Sequence, residues 1–443
     1  IMMKYIHQMR IKMSYEFLIC LILLFSLSAI GTPIAYAIFV SSCAYLWVGG
    51  QGIGLAGKVI LDGLYSSFIL LAVPLFIVAA NIMNAGTISD RLLRFCVAVV
   101  GRFKGGLGHV NVVASIIFSG MSGSAVADAA GIGKIIINMM VKSGHYTRGY
   151  AAAITAASAT IGPIIPPSIP MVLYALVSNS SIGYLFLGGI IPGILMGAVL
   201  MAMNSFIAIK RGYEPEESVP ISKLPMITFN AFPALLMPVI LLYCIYGGVT
   251  TPTEAAAVAA FYALILASIF YRALSFSNFY SILVESARSS AAVGLVIGGA
   301  LILNYIVASE NIPDIIASYL VGLDVSPLLF LICVNILILL LGCILDATTL
   351  ILVIIPLFLP SCKELGIDFV HFGVVAVVNC MIGLITPPYG VLLFVINAVS
   401  RIPLGEIIKE VIPFLLVLIA ALFLMVSFPD LVLWLPRQFG YEG

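Results

Sequence analysis

The sequence predicts an all-helical polytopic membrane protein built from two repeats that lie in the membrane in opposite orientations. Of its 443 residues, 62% are hydrophobic and 9% are charged, and the mean hydropathy is +1.21, far above that of soluble domains. Apolar runs of about 20 residues, long enough to cross the hydrocarbon layer as a helix, recur along the whole chain. A double-proline motif also occurs twice, which indicates an internal duplication.

Nine full crossings are predicted from the apolar runs. They lie at about 14–48, 61–86, 150–178, 182–209, 228–248, 252–272, 290–309, 372–400 and 411–435. The first runs show no small-residue cleavage site, so we expect the first helix to remain in the mature protein.

Two further stretches, 107–141 and 326–361, are too long for one crossing and carry polar residues near the middle. Basic residues flank the first stretch on both sides, so the positive-inside rule places both of its ends in the cytoplasm. We therefore predict a re-entrant helical hairpin in each stretch, with two ordinary helices per stretch as the alternative. Both interpretations put the N-terminus in the cytoplasm and the C-terminus in the periplasm.

The duplication is visible in the letters of the sequence. IGPIIPP at 161–167 matches IGLITPP at 382–388 with an offset of 221 residues, and Asp128 matches Asp346 with an offset of 218. The charge assignment places Asp90 inside and the corresponding Asp314 outside. The two copies are therefore predicted to be inverted, an arrangement typical of secondary transporters.

The repeats predict the division of the chain. The first repeat covers 14–211 and contains a hairpin (107–141) and a broken helix (150–178). The second repeat covers 228–436 and contains a hairpin (326–361) and a broken helix (372–400). An N-terminal extension or fusion remnant (1–13), a cytoplasmic linker (212–227) and a C-terminal tail (437–443) make up the rest of the chain.

Two carboxylates, Asp128 and Asp346, are the strongest candidates for a functional site, because ionisable residues far inside a membrane are costly. Hydroxyl side chains accompany each of them, and the helices broken at Gly162 and Gly383 can offer free carbonyl groups. Such oxygen-rich surroundings favour a small hard cation, and we predict two sodium sites. Proton coupling is the alternative, since a membrane carboxylate can also titrate. A helix-capping role is compatible with either.

The broken helices restart at prolines, as is favoured at the first position of a helix. Their free N–H groups and positive dipole ends suit an anionic substrate. The predicted substrate residues are Ser124, Pro166, Pro167, Ser168, Pro387 and Tyr389.

Other functions find little support. An intramembrane enzyme would need clustered His and Glu or a Ser-Lys pair, which we do not find, so we expect no enzyme and no cofactor. The GxGxxG pattern at 52–57 follows a membrane helix rather than a strand and does not indicate a dinucleotide site. A net charge of +1 gives no indication of nucleic acid binding. A channel would need a continuous polar pore, whereas the polar groups concentrate at two tips and two breaks.

Four motifs together resemble the large membrane subunit of tripartite ATP-independent periplasmic (TRAP) transporters over nearly the whole chain. They are GHVNVVASIIFSGMSGSAVADAAGIGK, TIGPIIPPSIPMVLYA, TPTEAAAVAA and LITPPYGVLLFV.

This resemblance implies an inner-membrane importer that uses the sodium gradient to carry small organic anions such as C4-dicarboxylates, sialic acid or other sugar acids. It implies an elevator mechanism with a scaffold and a transport domain. It also implies two partners, a small four-helix membrane subunit and a periplasmic substrate-binding protein, in addition to the surrounding lipid. It places sodium at Ser122, Asp128 and Gly162, and at Asp346, Thr349 and Thr386. A proton-coupled or ion-exchanging carrier that needs no binding protein is the alternative.

Overall fold

The computed structural model describes residues 14–84, 87–216, 220–322 and 325–443, and every regular element among them is a helix. The predicted extension at 1–13 and part of the predicted linker at 212–227 lie outside the described residues. Six continuous helical stretches within these ranges are long and apolar enough to cross a membrane, and one bent pair could form a seventh crossing. The predicted all-helical membrane fold is confirmed.

The chain begins with two helices, α1 (Tyr15–Ala29) and α2 (Ile34–Val48), which pack against each other. The prediction of one crossing over 14–48 is therefore wrong. Gly31 adopts a φ of +90° and Pro33 occupies the N-cap position of α2, so the chain turns back between two apolar runs that hydropathy alone cannot separate.

A second bend divides the next predicted crossing. Helix α3 (Gly54–Ser66) is followed by a 3₁₀ turn (Phe68–Leu71) and α4 (Ala72–Met83), and the two arms meet at 75°. Helix α5 (Thr87–Val100) then leads into the first hairpin.

The first hairpin consists of α6 (Gly106–Ser122) and a returning leg made of α7 (Ala125–Asp128), a π-helical turn (Ala129–Gly133) and α8 (Lys134–Ser143). The first broken helix comprises α9 (Arg148–Ala159) and α10 (Ile169–Ser178), with irregular backbone between them. Helix α11 (Ile182–Arg211) completes the repeat.

The second half begins with α12 (Leu224–Tyr246), α13 (Pro252–Ile265), α14 (Phe276–Ser309) and α15 (Ile312–Gly322). A π-helical turn (Leu266–Phe270) extends α13. Thr251 and Glu254 form a reciprocal capping box at the start of α13, which accounts for the carboxylate there.

The second hairpin consists of α16 (Pro327–Gly342) and a returning leg with α17 (Ala347–Thr349), a π-helical turn (Leu350–Ile354), a 3₁₀ turn (Ile355–Phe358) and α18 (Leu359–Glu364). The second broken helix follows as α19 (Phe369–Gly383) and α20 (Val391–Ser400). Helices α21 (Leu404–Ser427) and α22 (Asp430–Gln438) end the chain.

The register of the two repeats follows from their helix caps. Ser124 caps the returning leg of the first hairpin and Asp346 caps that of the second, an offset of 222 residues. The π-helical turns and the second halves of the broken helices agree with this offset to within one residue. The offset of 218 that pairs Asp128 with Asp346 is therefore wrong, because Asp128 lies one turn inside its helix whereas Asp346 caps its helix.

Each hairpin is tied to the broken helix of its own repeat by a buried asparagine on its first leg. Asn111 donates a hydrogen bond to the Thr155 hydroxyl (2.5 Å) and accepts one from Ser158 (3.1 Å). In the second repeat, Asn379 of α19 donates to the side-chain oxygen of Asn335 (2.8 Å). These bonds fix the hairpin tips relative to the breaks in the helices.

The helices pack in two groups. One contains α1–α4 and α12–α14, and the other contains the hairpins, the broken helices, α11, α21 and α22. Helices α5 and α15, which precede the two hairpins, contact both groups, and the groups also meet directly where α4 and α12 contact α6. Both hairpin tips and both breaks thus belong to the same packed body.

Candidate functional site

The tip of the first hairpin is formed by Gly123 and Ser124. Gly123 ends α6 with a φ of +58°, and a Cβ atom there would lie 2.5 Å from the carbonyl oxygen of Pro167. Ser124 caps α7 by accepting a hydrogen bond from the N–H of Ala127 (3.3 Å). The glycine therefore allows the tip to approach the break in the first broken helix.

The Asp128 carboxylate lies just behind this tip and is only 2% exposed. The Ser122 hydroxyl donates a hydrogen bond of 2.5 Å to Oδ1. Oδ2 is also buried, and it has no hydrogen-bond partner among the described residues. A Cβ atom on Gly162 would lie 2.5 Å from this oxygen, so only glycine permits the present approach. The structure thus brings Ser122, Asp128 and Gly162 together.

A buried carboxylate oxygen without a partner is unfavourable unless something compensates for it. Carboxylate and hydroxyl oxygens are the ligands that small hard cations prefer. The residues at the first tip therefore fit a small cation held by Asp128 and Ser122.

The second tip has a different arrangement. One oxygen of Asp346 accepts a hydrogen bond from the Thr349 N–H (3.1 Å) and the other accepts one from the Thr349 hydroxyl (2.6 Å). The Thr386 hydroxyl donates to the carbonyl of Ile382 (2.8 Å). No hydrogen bond joins Asp346 to Thr386 among the described residues. The structure pairs Asp346 with Thr349 but leaves Thr386 engaged with its own helix.

Gly383 lies where the second hairpin meets the second broken helix. A Cβ atom on Gly383 would lie 2.9 Å from the Cα of Gly342, so the ends of α16 and α19 touch through their backbones. Gly390, with a φ of +49°, donates its N–H to the carbonyl of Cys343 (3.3 Å). Sequence reasoning missed Gly390 and Gly123, although a glycine beside each break or tip was the available signal.

The predicted substrate residues differ in accessibility. Pro166, Pro167 and Ser168 are buried, and the Ser168 hydroxyl donates to the Pro163 carbonyl and accepts from the Met171 N–H. In the second break, Pro387 is half-buried and Tyr389 is 52% exposed, with its ring 4.9 Å from that of Phe394. The accessible polar groups therefore come from the second break and from the half-buried Ser124 and Asp346 at the two tips.

Comparisons with known proteins agree with this architecture. The family model of the tripartite ATP-independent periplasmic transporter, DctM component, matches residues 21–431. The sialic acid TRAP transporter large permease protein SiaM of Vibrio cholerae is 41% identical over 413 residues, which cover 93% of this chain and 96% of that protein. The C4-dicarboxylate TRAP transporter large permease protein DctM of Pseudomonas aeruginosa is 39% identical over 84% of this chain and 87% of its own length.

Another relative is the 2,3-diketo-L-gulonate TRAP transporter large permease protein YiaN of Escherichia coli, at 36% identity over 91% of this chain and 95% of that protein. Among solved structures, the YdaH transporter of Alcanivorax borkumensis is similar with a TM-score of 0.64 over 87% of this chain and 89% of that chain. At 14% sequence identity, this likeness concerns the fold alone.

Proposed function

Because this chain belongs to the family of TRAP transporter large permeases, we propose that it imports a small organic anion across the bacterial inner membrane in symport with sodium. The observation that carries this proposal is the hydrogen bonding of the Asp128 carboxylate. One oxygen accepts a hydrogen bond from Ser122, and the other lies beside Gly162 without a hydrogen-bond partner among the described residues.

The first sodium site consists of Ser122, Asp128 and the backbone around Gly162. Sodium bound there compensates the buried negative charge, and its loss leaves Oδ2 unsatisfied again. The second site consists of Asp346, Thr349, Thr386 and the backbone around Gly383. Both oxygens of Asp346 already accept hydrogen bonds, one from the Thr349 N–H and one from the Thr349 hydroxyl. An ion bound there must therefore be coordinated by the same oxygens.

The substrate is an acid of the classes named for the relatives: sialic acid, 2,3-diketo-L-gulonate or a C4-dicarboxylate. Its carboxylate lies between the two tips, near Ser124 and the exposed turn at Pro387 and Tyr389. The short helix segments that begin at the tips direct their N–H groups toward this region, which favours a negative charge. Pro166, Pro167 and Ser168 shape the wall behind it, since all three are buried.

Transport proceeds by an elevator movement, in which the body that carries both tips slides along the group formed by α1–α4 and α12–α14. The division of the packing into these two groups supports this mechanism. A periplasmic binding protein delivers the substrate, and a small membrane subunit completes the transporter. The C-terminus is periplasmic, and the start of α1 lies on the same side, because the Ser14 hydroxyl donates a hydrogen bond to Glu310 just beyond the end of α14 (2.5 Å).

The test is uptake of labelled organic acids into proteoliposomes that contain this chain and its small subunit. Sialic acid, 2,3-diketo-L-gulonate and a C4-dicarboxylate are each offered with and without the cognate binding protein and an inward sodium gradient. The proposal expects uptake of one acid that requires both. Uptake that follows a proton gradient and needs no binding protein would instead establish the proton-coupled carrier.

A further inference from the structure

Two of the side-chain hydrogen bonds in the described part of the chain join the two packed groups of helices. The Tyr246 hydroxyl, at the end of α12, donates to the carbonyl of Gly183 in the first turn of α11 (2.7 Å). The Asn304 side chain of α14 donates to the carbonyl of Leu352 in the second hairpin (2.9 Å). Both donors belong to the group α1–α4 and α12–α14, here called the scaffold group. Both acceptors belong to the body that carries the hairpin tips, here called the transport body.

The sequence explains why the Leu352 carbonyl can accept a bond from another helix. Within a helix, this carbonyl would accept from the N–H of the residue four positions on, but that residue is Pro356, which has no N–H. A backbone carbonyl without a donor is unfavourable inside a membrane. Asn304 supplies the donor, and both Asn304 and Pro356 line a cavity of about 630 Å³ between the two groups. The bond from the scaffold group therefore replaces one that proline removes from the hairpin.

Tyr246 makes a second contact with the transport body through its ring. The ring centre lies 5.5 Å from that of Phe439, which follows α22, and both side chains line a cleft of about 300 Å³ together with Gly183. The segment around Phe439 is fixed to the transport body, because the Tyr184 hydroxyl of α11 donates to the carbonyl of Gly440 (3.4 Å). Tyr246 thus contacts the transport body through both its hydroxyl and its ring.

We propose that Tyr246 and Asn304 form a latch that holds the transport body at its present position along the scaffold group. This inference rests on the proposed elevator movement, since a latch has a function only if the body moves. Sliding would separate each donor from its acceptor, and the Leu352 carbonyl would then lose the donor that Asn304 provides. Removing either donor weakens the present position and favours the other one.

The test measures the position of the transport body directly. Spin labels are attached to cysteines that replace Lys58 of α3 and Lys363 of α18, which are both exposed and lie one on each group. The background lacks the exposed Cys333. The distance between the labels is recorded by double electron–electron resonance in proteoliposomes that contain this chain and its small subunit. Each protein is measured with and without sodium and a mixture of the three acids used in the uptake assay.

The variants remove one donor at a time. Tyr246→Phe loses the hydroxyl and keeps the ring, and Asn304→Leu loses the amide and keeps the approximate volume. Tyr262→Phe is the matched control, because the Tyr262 hydroxyl donates a bond of the same length, 2.7 Å, to the carbonyl of Pro233 within the scaffold group. A hydrogen bond between membrane helices changes an equilibrium constant about threefold. We therefore expect each latch variant to shift the ratio of the two distance populations about threefold toward the second position, and the double variant to shift it about ninefold. Tyr262→Phe should keep the wild-type ratio.

The possible failures are distinguishable. If the distance responds to sodium and acid but both latch variants keep the wild-type ratio, the latch is refuted and the elevator movement stands. An equal shift in Tyr262→Phe would also refute the latch, because it would reflect a general loosening of the packing. A single distance in every protein and condition would overturn the elevator movement, and the latch with it. If Asn304→Leu fails to fold, Tyr246→Phe decides the question, since its ring keeps the contact with Phe439.

Discussion

Ser122 and Asp128 face each other across the tip of the first hairpin, joined by a hydrogen bond of 2.5 Å to only one of the two carboxylate oxygens. The other oxygen is buried beside Gly162 without a hydrogen-bond partner among the described residues. The hydrogen bond from Ser122 orients this carboxylate through one oxygen, and the small size of Gly162 leaves room beside the other.

Gly162→Ala is expected to weaken sodium binding. The new Cβ atom would lie 2.5 Å from Oδ2 of Asp128, so the carboxylate must move away from its hydrogen bond with Ser122. We expect the sodium concentration for half-maximal uptake to rise about tenfold or more, which corresponds to about 1.4 kcal/mol. The measurement is sodium-dependent uptake in proteoliposomes.

Gly131→Ala is the matched control, because this glycine lies in the same returning leg and a Cβ atom there meets nothing within 4 Å. Its sodium dependence should equal that of the wild type. A normal sodium response in Gly162→Ala would show that the ion does not bind at Asp128.

Substitutions of Asp346 separate a capping role from an ion-binding role. Asparagine caps helices about as well as aspartate, whereas alanine does not, at a cost of about 1 kcal/mol. We therefore expect Asp346→Asn to keep the thermal stability of the wild type and to lose sodium-driven uptake, and Asp346→Ala to lose both. Normal uptake in Asp346→Asn would reduce the role of this carboxylate to the cap.

Much of the fold could be predicted because proline and glycine mark its interruptions. The doubled prolines at 166–167 and 387–388 indicated both broken helices, and the polar tips indicated both hairpins. The turn at Gly31 was missed because two short apolar runs read as one long run in a hydropathy profile. The pairing of Asp128 with Asp346 was wrong because it compared residue types, whereas helix caps define the true register.

The details of the site could be predicted less well. That Ser122, Asp128 and Gly162 belong together was implied by a family resemblance, but the free oxygen of Asp128 depends on the angle of the turn at Gly123 and on a backbone segment distant in sequence. Such geometry is not encoded in any short motif. For the same reason, the burial of Ser168 could not be read from its position after two prolines.

The Ser168 hydroxyl is engaged within its own break, since it donates to the Pro163 carbonyl and caps α10 through the Met171 N–H. We expect Ser168→Ala to lower the free energy of unfolding by about 1 kcal/mol and to leave the KM for substrate unchanged. Ser124→Ala, at the half-buried tip, is the comparison and should raise this KM. The measurements are thermal unfolding and concentration-dependent uptake. A raised KM with normal stability in Ser168→Ala would instead make Ser168 a substrate contact.

Glu310, which follows α14, ties the first helix to the rest of the protein. Partial burial alone would raise its pKa, but hydrogen bonds from the Ser14 hydroxyl (2.5 Å) and the Tyr45 hydroxyl (2.7 Å) lower the pKa overall. A carboxyl group with a lowered pKa stabilises the folded state above its unfolded pKa, about 4.3 for glutamate, and loses this contribution as the pH falls through its folded pKa.

Glu310→Gln should therefore unfold at a lower temperature than the wild type at neutral pH, and the difference should shrink as the pH is lowered below about 4. Thermal unfolding of both proteins between neutral and acidic pH provides the measurement. A difference that stays constant down to the lowest pH would show that the shape of the side chain matters and its charge does not.

The orientation of the first hairpin can be tested with single cysteines at positions 104 and 145, which flank it and are both exposed. The background replaces Cys333, the native cysteine that is exposed in the described part of the chain. If the hairpin is re-entrant, a membrane-impermeant thiol reagent should label both positions from the cytoplasmic side of oriented vesicles and neither from the outside. Lys58→Cys, predicted to be periplasmic and also exposed, should show the opposite pattern and so verifies that the vesicles are sealed. Labelling of 104 and 145 from opposite sides would mean that the stretch crosses the membrane, and both carboxylate sites would then need a different topology.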